Sequence, residues 1–298
     1  MLVYSAFRDM DPGSEAAEPE LLREALRLSE KTDPATRREI LGWEAEDHLR
    51  AMRIDEALAV FEELDKLPGA RTDLDEMEYL RGKALMAHRR GAVGELTAIT
   101  ERLLAIGRRA GPHLRTHAEV YATFLAFGRG DWGAVARLAS DTDLLMRASP
   151  TTAFCVSAGI TLACGALVQA RKGRAEEARA LIKRLDGITY ERVMPAALRA
   201  FGLAFTGDRV EIDAAPNLVH TRLMFLAVAA VATKRHPEAL AIADALEADA
   251  RGGARYFAAL AQAVREEVAR DEGGPPPTHA LLKEIGYVGW SELLSARA

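Results

Sequence analysis

Cysteine is nearly absent: Cys155 and Cys164 are the only two in 298 residues. Nine positions apart, they form neither a disulfide framework nor a metal-ligand pattern, and their apolar surroundings predict buried free thiols in a reducing compartment. Aromatics make up 6%, and alternating runs of β-branched residues are almost missing, which argues against a sheet. There is no phosphate-binding GxxxxGK[ST] and no DNA-reading helix-turn-helix. A formal net charge of −5 supplies no broad attraction for nucleic acid, so direct nucleic-acid binding is not expected. The opening MLVYSAFRDM lacks the basic flank and apolar core of a secretion signal. One uncharged stretch, between Arg147 and Arg171, has the length of a membrane span. Pro150, Thr151, Thr152, Ser157 and several small residues interrupt it, and it reads instead as a helix buried on all sides. A cytoplasmic protein with no membrane partner is predicted.

What is present is a helical repeat. Ala, Leu, Arg and Glu dominate, all good helix formers. A short phrase recurs behind five hinges, Met52, Gly91, Gly130, Gly173 and Lys234, spaced 39, 39, 43 and 61 residues apart. Five positions after each hinge stand Ala57, Leu96, Val135, Ala178 and Ala239. Three further on come Val60, Ile99, Leu138, Leu181 and Ile242, and four beyond those Leu64, Leu103, Thr142, Leu185 and Leu246. A period near 40 with helical filling predicts an all-α fold, a right-handed α-solenoid of antiparallel helical hairpins.

The chain divides into a poorly ordered lead (1–18), a repeat region (19–270), a Gly/Pro linker (271–278) and a short C-terminal helical cap (279–298). Asp33 followed by Pro34 predicts a capped helix start. The linker holds Gly273, Gly274 and three prolines, which cannot continue a helix. The apolar residues around Tyr287 and Trp290 predict a cap folded onto the last repeat, covering core that an open solenoid end would expose.

Counting back seven residues from each hinge gives Ala45, Ala84, Thr123, Ala166 and Ala227, and counting back eleven gives Leu41, Leu80, Glu119, Leu162 and Leu223. Small and apolar residues at these offsets, with turns such as Arg129-Gly130-Asp131-Trp132 and Arg171–Ala178, resemble the tetratricopeptide family. The units are longer than the usual 34 residues, the second-helix aromatic survives only at Phe61, and the closing proline is mostly missing. Such degenerate arrays resemble the C-terminal repeat regions of large bacterial signal-transduction ATPases and their transcription-regulator or cyclase-linked kin. The resemblance implies a non-enzymatic scaffold or sensor in bacterial signalling or transcription regulation. It also implies that the inner face of each first helix carries ligand contacts. Here those positions are Glu39, Glu46, Glu78, Arg81, His88 and His117 in the early units, then Val120, Phe124, Phe127, Ile160, Leu167, Met224 and Val228. The expected ligand is a protein segment or small effector, its apolar part held late and its basic part early. The same residues read equally well as packed core if the superhelix winds tightly.

Other signals are weaker. Gly128 to Gly133 fits GxGxxG, but between two helices it is a hinge and not a nucleotide loop. His113 and His117 share a helix face, a metal-capable geometry, but Leu114 stands where the metalloprotease pattern needs glutamate, and Glu119 points elsewhere. No catalytic, cofactor or metal residues are assigned on this basis. An α-helical enzyme, or a small-molecule or metal-binding pocket, around His113, His117, Glu119 and a Phe124–Phe127 wall is the alternative. Self-association through Phe124, Phe127 or Trp290 is a third reading.

Overall fold

Every regular element among the described residues is helical. The computed structural model describes residues 33–69, 71–149, 155–187, 194–212, 220–251 and 253–296, together with Glu24, Arg27, Leu28 and Thr152. The expected lead at 1–18 and the side chain of Glu46 lie outside the described residues. The first helices are α1 (Pro34–Arg50), α2 (Ile54–Lys66), α3 (Asp73–Arg90), α4 (Val93–Ala110) and α5 (Pro112–Arg129). Next come α6 (Trp132–Ala148), α7 (Val156–Arg171), α8 (Ala175–Lys183) with a 3-10 turn at Arg184–Gly187, and α9 (Met194–Gly202). The chain ends with α10 (His220–Ala232), α11 (His236–Ala250), α12 (Arg255–Asp271), α13 (Ala280–Glu284) and α14 (Val288–Ser295). No described helix is long and apolar enough to cross a membrane, and the uncharged stretch before Arg171 contributes the buried α7.

Local chemistry explains the boundaries. The Asp33 carboxylate accepts hydrogen bonds from the Ala35 and Thr36 amides at 2.9 and 3.1 Å, and Pro34 occupies the first helical position. Thr72 and Asp75 form a reciprocal capping box at the start of α3.

All five hinges adopt the left-handed conformation: Gly91, Gly130 and Gly173 at φ 71, 74 and 74°, and Met52 and Lys234 at 58 and 56°. At each, the amide just past the hinge reaches back five residues to a carbonyl: Arg53 to His48, Ala92 to Ala87, Asp131 to Ala126, Arg174 to Gln169 and Arg235 to Ala230, at 2.8–3.0 Å. This is the Schellman closure, which satisfies carbonyls that a helix end would otherwise orphan. Glycine adopts that φ without strain, whereas Met52 and Lys234 pay for it in Cβ crowding.

The recurring phrase is the core. Ala57, Leu96, Val135, Ala178 and Ala239 are fully buried, as are the small residues Ala45, Ala84, Thr123, Ala166 and Ala227. The two polar intrusions of the third unit satisfy each other: the Thr142 hydroxyl donates to Glu119 Oε2 at 3.0 Å, and Arg115 donates to Glu119 Oε1 at 2.7 Å. A buried carboxylate at an apolar knob position is tolerable because its oxygens are bonded.

Consecutive helices pack in pairs, and alternate helices pack on one another: α3 on α5, α5 on α7, α7 on α9, α10 on α12. With α9 against α10 and α12 returning to α3, these helices complete a circuit. Arg89 ties into the same junction: it is buried and donates to the Leu49 carbonyl at the end of α1.

The C-terminal segment does not simply cover the last repeat. α14 packs on α12 and reaches across to α5 and α10. Gly128 and Gly289 make that approach possible: a Cβ on Gly289 would fall 1.9 Å from the Phe127 carbonyl oxygen, and one on Gly128 would lie 2.7 Å from the Tyr287 ring. The GxGxxG match therefore resolves into a seat for Tyr287 (Gly128) and a hinge (Gly130), with Gly133 in the first turn of α6.

Candidate functional site

The positions expected to face a ligand separate into two groups. Val120, Phe124, Phe127, Ile160, Leu167, Met224 and Val228 are all buried, as is His88. They are packed core and not an open groove; the C-terminal segment lies directly against two of them, Phe127 and His88. Trp290 lies 4.8 Å from Phe127, 6.2 Å from Phe201 and 6.1 Å from Tyr256 between ring centroids. Tyr287 packs on Tyr256 at 4.8 Å, and its hydroxyl is 2.7 Å from His88 Nδ1. His88 in turn stacks on Phe124 at 4.8 Å. Burial holds His88 far below the ordinary histidine range, at about 3, so the ring is neutral in the folded chain.

The C-terminal segment is fastened by a buried polar cluster. His279 Nδ1 lies 2.9 Å from the Ser291 hydroxyl, His279 Nε2 lies 3.0 Å from Glu267 Oε1, and Ser295 donates to the same oxygen at 3.1 Å. Ser, His and Glu in sequence are the constituents of a nucleophile triad. Here all three are buried and join α12 to α14, which suits a clasp and gives a substrate no access.

The early polar positions behave differently. Glu39, Glu78 and Arg81 line a cleft of about 260 Å³ framed by α1, α2 and α3, walled by Trp43, Phe61, Tyr79 and Tyr121. Arg81 donates to Glu78 at 2.5 Å, and Tyr79 is already engaged by Arg71, whose guanidinium carbon is 3.8 Å from the ring centroid. α2 carries Asp55, Glu56, Glu62, Glu63 and Asp65 against Lys66 alone, with Glu63 paired to Arg37 and Asp65 to Arg71 and Lys83. Burial, then the neighbouring charges of Glu63 and Asp47, raise the Glu44 carboxyl above its ordinary value.

A third assembly lies where α5 meets the residue preceding α7. His113 and His117 present their Nε2 atoms to each other at 3.1 Å. Cys155 completes the group, with the three donor atoms all within 4.8 Å of one another. Burial would push the Cys155 thiol up, but hydrogen bonds from His113 and His117, the His117 charge and a bond from Thr116 outweigh it and bring the thiol to about 4. His113 is raised chiefly by its bond to the same sulfur. Cys164 shows the contrast: with burial as its only influence, its thiol is pushed well up. Glu119 is not part of this group, being held by Arg115 and Thr142, and Phe124 and Phe127 face His88 and Trp290 instead of forming a wall beside it.

Sequence reasoning placed both cysteines as buried thiols, which they are, and missed that Cys155 meets the two histidines. No spacing signals this, since Cys155 stands 38 residues beyond His117, at the start of another helix. Comparison with protein-family models, curated proteins and solved structures returned no match.

Proposed function

We propose that the chain is a non-enzymatic binding protein of the α-solenoid, tetratricopeptide-like type, and that it recognises a cationic protein segment at the α1–α3 cleft. The observation that carries this reading is the division of the inner surface. Its apolar positions are buried, partly against the chain's own α14, whereas the aromatic-walled cleft, with Glu39, Asp75 and Glu78 against Arg38 and Arg81, is open. Aromatic faces flanked by carboxylates favour a guanidinium or ammonium group, through cation–π attraction and charge pairing in a partly desolvated setting. Arg71 over Tyr79 shows that these faces accept such a group from within the chain. The apolar anchoring expected from the later units drops out of the proposal, because Phe124 and Phe127 are enclosed.

Calorimetric titration with Arg/Lys-rich peptides, against acidic and neutral peptides of equal length, tests the reading. Saturable binding of the cationic set alone, weakened at least about tenfold by Glu39→Gln with Glu78→Gln, is expected. Equal binding of all three sets, or indifference to the double substitution, would refute it.

A further inference from the structure

We propose that His113, His117 and Cys155 form a site for a thiophilic d10 cation, Zn(II) in the first instance, that pins the N-terminal end of α5 to the chain entering α7. The site is independent of the cleft proposed above for cationic segments.

The geometry points to a chelate. Pro112 opens α5, so His113 and His117 sit one turn apart on the same face at the helix start. Their Nε2 atoms approach to 3.1 Å, about the separation of two imidazole nitrogens sharing a tetrahedral ion with bonds of about 2.0–2.1 Å. Cys155 is the residue immediately before α7, and the packing of α5 on α7 delivers its sulfur to the same point. Two imidazoles and one thiolate are borderline-to-soft donors, which select zinc over calcium or magnesium.

The surroundings fit an outer shell. The Thr116 hydroxyl lies 3.5 Å from Cys155 Sγ and 2.6 Å from the His113 carbonyl oxygen, and so fixes both ligands from the buried side. The thiol is buried while the imidazoles reach the surface, which gives an ion an entry path and limits access of bulky reagents to the sulfur. Three protein ligands leave a fourth position for water or an exogenous donor, as in open zinc sites. Binding displaces the proton that the imidazoles and the sulfur share and involves no redox step.

The test uses the full chain, stripped with chelator and titrated with Zn(II), and separately with Co(II) for its optical spectrum. A single equivalent should bind, with a sulfur-to-cobalt charge-transfer band and a rise in Tm on zinc addition. Cys155→Ser should abolish the band, and His117→Gln, placed at the surface so that folding is spared, should weaken binding at least about tenfold. Cys164→Ser should bind like the parent chain. Zinc should also slow alkylation of Cys155 by iodoacetamide. Absence of stoichiometric binding, binding that survives His117→Gln and Cys155→Ser, or rapid alkylation of Cys155 unaffected by zinc would each overturn the proposal; the last would identify a reactive thiol instead.

Discussion

Equivalent hinge-relative positions in the early and the late helix pairs reach opposite ends. In the early units these positions are polar, and Glu39, Glu78 and Arg81 line an open cleft. In the later units they are apolar, and Phe124, Phe127, Leu167, Met224 and Val228 are enclosed. A large apolar surface is costly to expose to water. Here the chain supplies its own occupant, the short α14 with Trp290, preceded by Tyr287. The correspondence with polarity has one exception: His88, polar and from an early unit, is enclosed beside Tyr287.

The contrast can be broken most forcefully at Trp290. It is 1% exposed against three aromatic rings, so Trp290→Ala should cost about 3–5 kcal/mol in denaturant unfolding. Trp43→Ala, at the half-buried wall of the cleft, should cost about 1 kcal/mol or less. Equal losses would erase the distinction between filled and open halves.

The polar intrusion of the third unit offers a second test. Thr142→Val leaves Glu119 Oε2 buried without its donor and should cost about 1–3 kcal/mol. Adding Glu119→Leu restores the apolar pattern of the other units and should recover most of that loss. A double variant no more stable than the single one would show that the pair is not coupled.

His88 gives the filled half a pH signature. Above the ordinary histidine value of 6.5 the ring is neutral in both folded and unfolded chains and contributes no pH dependence. Below it, the unfolded chain takes up a proton that the buried ring refuses until about 3. Stability therefore falls as pH falls through that window, by up to about 1.4 kcal/mol per pH unit from this residue. His88→Phe should flatten the stability profile by that slope; parallel profiles would place His88 in a solvated setting.

The smallest effect belongs to the hinges. Lys234→Gly relieves a left-handed Cβ at φ 56°, partly offset by the greater freedom of the unfolded chain, and should stabilise by about 0.5–1 kcal/mol. A loss of stability would mean that the lysine stem contributes more by packing than its backbone costs.

The helix-pair organisation was legible because it is written in local, repeated chemistry. The five hinges predicted from spacing all adopt the same turn, including Met52 and Lys234, where no glycine marks it. The small residues from Ala45 to Ala227 are buried at each expected step. Closure was not legible: contact between α12 and α3, and the insertion of α14 beside α5, depend on curvature summed over many units. Gly128 and Gly289 carried that information, but a glycine needed for close approach looks in sequence like any other turn residue. The His113–His117 pair was visible as an i, i+4 spacing, whereas Cys155 joins it only through helix packing.

Hydrogen–deuterium exchange of the full chain, with and without a saturating cationic peptide, tests the division of the inner surface most directly. The account predicts slow exchange throughout Val288–Ser295 in both states, with peptide-dependent protection confined to α1, α2 and α3. Fast exchange in Val288–Ser295, or exposure of that helix when peptide binds, would contradict it: the apolar half would then be a groove from which α14 is displaced.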